Sequence, residues 1–249
     1  MTTRSLEGRV ALVTGAGRNI GRGVALLFAR EGAAVVVNTR RNEQDANTVA
    51  AEIADAGGRA LAVTADVSVP SEVTRMVARS VDEFGKVDLL VNAAAHRVRS
   101  PFLELTEEDW RRTMSVALDG GFHCTQQVLP SMIESGGGSV IYFVGKGAFL
   151  GGPERAHTAA SKMALVGMCR SLATEFAPHN IRFNVIAPGR VATDRPADEA
   201  PDEHFLEPNP MGRDGTVEDI ARGCLFLASD QSSWMTGQVL HLNGGAYYG

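Results

Sequence analysis

Apolar positions along the chain fall into two alternating rhythms. Short β-branched runs at Arg9 to Thr14, Ala33 to Asn38, Arg59 to Ala65, Val87 to Asn92, Ser139 to Val144, Ile181 to Ala187 and Gln238 to Leu242 predict seven strands. Between them lie stripes such as Ile20, Val24, Leu27 and Phe28, which recur on one face of a helix. The strands lack strict polar alternation, as strands buried on both faces do, and β-α alternation requires a parallel sheet with right-handed crossovers. The pattern predicts α/β architecture: a single doubly wound parallel sheet of seven strands with helices on both faces, one domain over 1–249. One interval breaks the rhythm. Asp194 to Pro210 holds Pro196, Pro201, Pro208 and Pro210 and follows neither period, so an irregular acidic lid is expected at about 194–213.

Composition narrows the class. With 249 residues, 44% apolar and 21% charged, the chain can bury a full core, which excludes disordered and collagenous classes. No apolar run approaches the roughly 18 residues of a membrane span. The N-terminus enters its first strand without an apolar leader, so a cytoplasmic protein with no membrane partner is expected. Cys124, Cys169 and Cys224 are odd in number, far apart and without CxxC spacing, which suits reduced core thiols. The net charge of −5 argues against a nucleic-acid partner, which would need a basic stripe. The deficit is local, because six acids between 194 and 207 face Arg195 alone.

The first strand runs into Thr14-Gly15-Ala16-Gly17-Arg18-Asn19-Ile20-Gly21, which opens a helix. Glycines there let the backbone turn tightly and approach a pyrophosphate at the positive end of the helix dipole. Asn19 stands where a glycine is usual, and asparagine is the side chain best able to adopt a left-handed backbone. An acid at the end of the second strand would accept from the ribose 2′-hydroxyl of NAD, whereas arginine there accommodates a 2′-phosphate. Here the stretch is Asn38-Thr39-Arg40-Arg41, with Arg18 in the loop itself, which points to NADP(H).

With these motifs the chain resembles the short-chain dehydrogenase/reductase family along nearly its whole length. Asp66-Val67 resembles the adenine-contacting pair of the family, and Asn92-Ala93-Ala94-Ala95 its loop after the fourth strand. Pro188-Gly189-Arg190-Val191-Ala192-Thr193 resembles its P-G-x-x-x-T nicotinamide segment, and Asn243-Gly244-Gly245 its C-terminal turn. The resemblance implies a single Rossmann-type dinucleotide-binding domain over 1–249 with strand order 3-2-1-4-5-6-7, hydride transfer between a nicotinamide and a carbonyl or alcohol, and a homotetramer. The cofactor positions it carries over are Gly15, Arg18, Asn19, Ile20, Gly21, Asn38, Arg40, Asp66, Val67, Asn92, Ala93, Lys162, Pro188, Gly189, Val191 and Thr193.

The same comparison shows where the chain departs from the family's catalytic tetrad. The family's acid/base is a tyrosine four residues before a helical lysine; Lys162 is present, but Thr158 stands four before it. Gly145 stands where the carbonyl-polarising serine belongs, and Ala117 where the supporting asparagine belongs. Tyr142 and Lys146 have the Y-x-x-x-K spelling, yet Val140 to Val144 reads as a strand, which sets such a pair about 13 Å apart. A positioned acid is worth roughly 10²- to 10⁴-fold and a carbonyl-polarising donor roughly 10²- to 10³-fold, so ordinary ketone reduction should be nearly abolished. The triple change Gly145→Ser, Thr158→Tyr and Ala117→Asn should restore it.

His157 lies five residues before Lys162 and should point away from it. His96, at the carboxyl end of a strand where α/β sheets bind ligands, is either a replacement acid/base or a rim histidine with ordinary hydrogen bonds. Arg97 and Arg99 could hold an anionic small-molecule substrate. No histidine spacing suggests a metal. The candidate catalytic residues are therefore Lys162, Thr158 and His96. Three readings stand: an NADP(H)-dependent oxidoreductase with a non-standard proton donor, a catalytically silent NADP(H)-binding subunit or regulator in an oligomer, alone or beside an active family member, or non-redox chemistry in the old pocket with the nucleotide kept as a structural ligand; the first two are favoured. A homo-oligomer is expected because Met163, Leu165, Val166, Met168, Leu172 and Phe176 cover more than one face of their helix.

Overall fold

A computed structural model describes residues 4–194 and 209–249. Its seven strands are β1 (Val10–Thr14), β2 (Ala34–Thr39), β3 (Arg59–Thr64), β4 (Leu89–Asn92), β5 (Gly138–Phe143), β6 (Ile181–Pro188) and β7 (Val239–Leu242). They form one sheet in the order β3-β2-β1-β4-β5-β6-β7, with every neighbouring pair parallel. Predicted and observed strands agree to within two residues at each end.

The period of two along the strands divides the core into two layers. Ala11 and Val13 of β1, Leu89 and Val91 of β4, and Ile141 and Phe143 of β5 face one layer. There they meet α1 (Asn19–Arg30), α2 (Glu43–Asp55) and α8 (Val217–Ala228). Val10 and Leu12, Leu90, and Val140 and Tyr142 face the other layer, with α3 (Pro70–Phe84), α5 (Gly120–Glu134) and α7 (Ala156–Phe176). Both faces of the sheet are thus covered, which is why the strands read as continuous apolar runs. Among the described residues no helix is long and apolar enough to cross a membrane.

The three cysteines are buried free thiols, and burial pushes Cys124 and Cys169 up to about 12. Residues 195–208 of the expected lid lie outside the described residues. At its edges Met211 N donates to Gly244 O and Asp194 meets Asn19, as described below. The apolar faces of α7 are less bare than the sequence suggests. Leu165 and Val166 are core, Met168, Leu172 and Phe176 pack against it, and Met163 alone of the six is well exposed, at 42%.

Candidate active site

The carboxyl ends of β1, β4, β5 and β6 converge on one edge of the sheet, and the candidate residues follow from the turns they make there. Gly15 leaves β1 with φ +65, and a Cβ on it would lie 3.1 Å from the Ala94 backbone. A Cβ on Gly21 would lie 2.2 Å from Gly15 O, so the first turn of α1 closes onto the loop only with glycine there. Asn19 has φ +51, the left-handed conformation that glycine would ordinarily supply. Its carboxamide does what glycine could not: Nδ2 donates to Asp194 O at 3.0 Å, and Oδ1 accepts from Asp194 N at 3.1 Å.

Helix α1 starts at Arg18 without a side-chain cap and without an acid in its first turn, whereas α2 and α8 are capped by Asn42 and Thr216. Its leading N–H groups, including that of Ile20, are therefore open to an anion. Arg18, Arg40 and Arg41 are exposed around this end, and they form no ion pair with a described residue. Asp45 of α2, which the sequence reading did not consider, packs here too, since a Cβ on Gly17 would come within 2.9 Å of its Cβ.

Asn38 departs from expectation. It is 1% exposed, and its Nδ2 donates to Val63 O at 3.3 Å and Ala65 O at 3.1 Å. The side chain stitches β2 to the end of β3, and only its carbonyl meets the phosphate loop, accepting from Ala16 N at 2.8 Å. Asp66 lies just beyond β3. Its Oδ1 accepts from Ser68 N at 3.0 Å and Ser68 Oγ at 2.6 Å, and its Oδ2 accepts from Arg112 at 3.0 Å. Burial alone would raise this carboxyl, but the Ser68 hydrogen bonds and the Arg112 guanidinium hold it below the usual range. Arg112 comes from α4 (Glu107–Met114) and was not legible from sequence. Val67 is buried beneath, its carbonyl 3.1 Å from His123 Nδ1.

Thr14 Oγ1 accepts from the N–H groups of Ala93 and Ala94, both at 3.1 Å, and so fixes the loop after β4. Asn92 is buried beside it, with Nδ2 unpartnered among the described residues. Pro188 ends β6; Gly189 packs so closely that a Cβ would lie 2.7 Å from Asn243 Cα; and Val191 bridges to Gly215. Thr193 is half-buried and hydrogen-bonded or otherwise engaged in the folded chain.

Lys162 lies on α7 and is 8% exposed, with Nζ donating to Phe143 O at the end of β5, 2.8 Å away. Burial, reinforced by repulsion from Arg97, lowers it to about 7. One turn earlier, Thr158 Oγ1 is buried and unpartnered among the described residues. Gly145 holds φ +118 with nothing closer to its would-be Cβ than Pro188 O at 4.0 Å. The space would admit a serine, but the backbone there strains any L side chain, which the restoration expected from sequence did not anticipate. Ala117 is buried in a π-helical turn, Ser115–Asp119.

Tyr142 stays in the sheet core, its hydroxyl hydrogen-bonded to Thr125 Oγ1 at 2.7 Å, and burial raises it well above the ordinary phenol range. His157 is fully buried and donates from Nε2 to Val98 O at 3.0 Å. His96 is lowered by burial and by repulsion from Arg112, Arg40 and His157, with Asp109 opposing. The groups that act on His96 thus come mostly from the Asp66 and Arg40 end of the edge.

Residues 15–247 match the family model described as enoyl-(acyl carrier protein) reductase. The chain is 37% identical over 240 residues to 3-oxoacyl-[acyl-carrier-protein] reductase FabG of Staphylococcus epidermidis, covering 95% of this chain and 98% of that protein. It is 40% identical over 243 residues to (2S)-[(R)-hydroxy(phenyl)methyl]succinyl-CoA dehydrogenase subunit BbsD of Thauera aromatica, covering 96% and 97%. A 7α-hydroxysteroid dehydrogenase solved with NADH and 7-oxo glycochenodeoxycholic acid superposes with TM-score 0.92 at 35% identity, over 98% of this chain and 96% of that one. A gluconate 5-dehydrogenase from Burkholderia cenocepacia, solved with NADP and tartrate, gives 0.91 at 34%, over 98% and 96%. With the family model matched over residues 15–247 and relatives 37–40% identical over nearly the whole chain, this chain belongs to the short-chain dehydrogenase/reductase family of oxidoreductases.

Proposed function

We propose that the chain is an NADP(H)-dependent oxidoreductase acting on the carbonyl or alcohol of a small molecule, with Lys162 retained and the family's serine, tyrosine and asparagine replaced by Gly145, Thr158 and Ala117. The observation that carries this reading is the buried Lys162 ammonium, fixed by Phe143 O at the sheet edge where the Pro188 to Thr193 segment also lies. The glycine cradle and the uncapped start of α1 fit a pyrophosphate, and Arg18, Arg40 and Arg41 fit a 2′-phosphate. One of the solved relatives holds NADP and another NADH. The nicotinamide supplies or accepts the hydride when bound. The residues of this chain orient it, exclude water and place a cation beside the reacting oxygen.

A second reading, a catalytically silent NADP(H)-binding subunit, is favoured by Gly145, whose φ of +118 is suited to glycine rather than to the family's serine. For either reading we propose a homo-oligomer, supported by exposed apolar side chains on α5 and α7, namely Phe122 at 46%, Ile133 at 41% and Met163 at 42%. The deciding experiment is calorimetric titration with NADPH and NADH followed by a screen of ketones and alcohols. NADPH binding with measurable turnover supports the first reading, binding without turnover on any substrate supports the second, and failure to bind either nucleotide overturns both.

A further inference from the structure

Asn19 opens α1 directly after β1, and Asp194 follows β6, with β4 and β5 between those two strands in the sheet. Three inter-strand steps, about 14 Å, separate β1 from β6. Asn19 nonetheless meets the backbone of Asp194 with its whole carboxamide, donating from Nδ2 to the carbonyl at 3.0 Å and accepting at Oδ1 from the amide at 3.1 Å. A glycine at 19 would accept φ +51 without strain but would leave Asp194 untied. The tie completes the anchoring of the segment that follows β6. Gly189 N donates to Leu242 O and Ala192 N to Gly215 O, both at 2.9 Å, and Val191 bridges to Gly215. Those partners lie in β7 and just ahead of α8, whereas Asn19 belongs to the phosphate loop. Thr193 stands between the anchor on Ala192 and the anchor on Asp194.

A dinucleotide laid along this edge has its two halves assigned by charge and topology. Arg40, Arg41 and Asp66 follow β2 and β3, so in an NADP(H) site the 2′-phosphate and adenine fall on that side of the phosphate loop. Beyond the pyrophosphate the other half then runs towards the ends of β4, β5 and β6, where Lys162 meets Phe143 O and the Pro188 to Thr193 segment begins. We infer that Asn19 is a positioning residue for the nicotinamide half of the cofactor: by tying Asp194 to the phosphate loop it fixes Thr193 against that half, so that the pyrophosphate and nicotinamide contacts form one pre-ordered unit. A segment ordered before binding loses less conformational freedom when the ligand arrives, and the difference appears as affinity. The inference rests on the reading of the site as one for NADP(H), and the test separates the two.

NADPH and 2′-phospho-ADP-ribose share the adenine, the 2′-phosphate and the pyrophosphate and differ in the nicotinamide ring. Binding of each is measured by calorimetry to the full chain and to its Asn19→Gly variant. Damage to the phosphate loop would weaken both ligands alike, whereas loss of positioning weakens NADPH in particular. The parent is expected to prefer NADPH over the fragment, and Asn19→Gly should shrink that preference at least about fivefold, the effect of losing two hydrogen bonds. Thr193→Val should shrink it too, and should add little on top of Asn19→Gly, because Asn19 acts through Thr193. An undiminished preference in Asn19→Gly, an equal loss for the two ligands, or additive losses from the two substitutions each overturns the inference. A parent that binds NADPH and the fragment equally also overturns it while leaving the nucleotide-binding reading standing. A parent that binds neither removes both.

Discussion

The side chain of Asn19 holds both backbone polar groups of Asp194, donating to its carbonyl at 3.0 Å and accepting from its amide at 3.1 Å across 175 residues of sequence. The phosphate loop is thereby tied to the segment that follows β6. The left-handed backbone of Asn19 lets its side chain reach outward in this way. Replacing Asn19 by alanine should lower stability by about 1–2 kcal/mol, from a Cβ without local compensation at φ +51 and the lost hydrogen bonds. Asn19→Gly, which relieves the backbone but not the tie, should cost less. Urea denaturation orders the three proteins, and amide exchange at Asp194 should quicken in both variants.

Cofactor preference is the next expected outcome. Arg40→Ala should weaken NADPH binding at least about tenfold and leave NADH binding nearly unchanged, because one charge-assisted contact to a phosphate contributes about 1.5–3 kcal/mol. Calorimetry with both nucleotides checks it, and equal losses for the two would show that Arg40 does not face a 2′-phosphate.

Lys162 sets a pH dependence whose sign can be worked out. Its folded value of about 7 lies below the 10.5 of the free side chain. Between those two values the unfolded chain binds the extra proton, so this residue makes stability rise as pH increases from about 7 to about 10 and adds a constant penalty below about 7. Lys162→Met should therefore be more stable than the parent at pH 6. A net gain of about 2 kcal/mol would raise Tm by roughly 4–8 °C in a chain of this size. The gain should shrink as pH approaches 10, which parallel melting curves at several pH values would reveal.

The opposite sign applies to Asp66, whose carboxyl is held below its usual range despite burial by Ser68 and Arg112. Stability from this group is present above the unfolded value of about 3.9 and is lost as pH falls through the lower folded value. Between pH 5 and pH 3 the parent should lose more stability than Asp66→Asn, and Arg112→Ala should narrow that difference. Acid titration monitored by circular dichroism tests both.

Wild-type turnover on simple neutral ketones should be at least about 10⁴-fold below that of a relative with the full tetrad, the product of losing a positioned acid and a polarising donor. Thr158→Tyr with Ala117→Asn should raise it measurably. Adding Gly145→Ser should cost about 1–3 kcal/mol of stability, because serine would have to accept φ +118 or move the turn. Steady-state NADPH oxidation and melting curves of the double and triple variants separate the catalytic gain from the strain.

The amino-acid sequence by itself determined the strands and the phosphate loop, because each depends on residues close together in the chain, whereas the order of the strands in the sheet was implied only by the family resemblance. Val10 to Val13 alternate between two core layers by the geometry of a strand alone, and Asn19 takes the backbone its side-chain chemistry permits. Recognising Lys162, Thr158, Gly145 and Ala117 needed only their offsets within family motifs. What each of these groups does was decided by the tertiary structure. Asn38, expected near the ribose, faces β3 instead, because pairing of β2 with β3 brings the Val63 and Ala65 carbonyls to it. Arg112 reaches Asp66 across 46 positions, and the Lys162 ammonium reaches the Phe143 carbonyl only because α7 packs against the end of β5. Hydrophobic period and turn chemistry act over a few residues, whereas the charge felt by a buried lysine is set by whichever side chains the crossovers bring within a few ångströms of it.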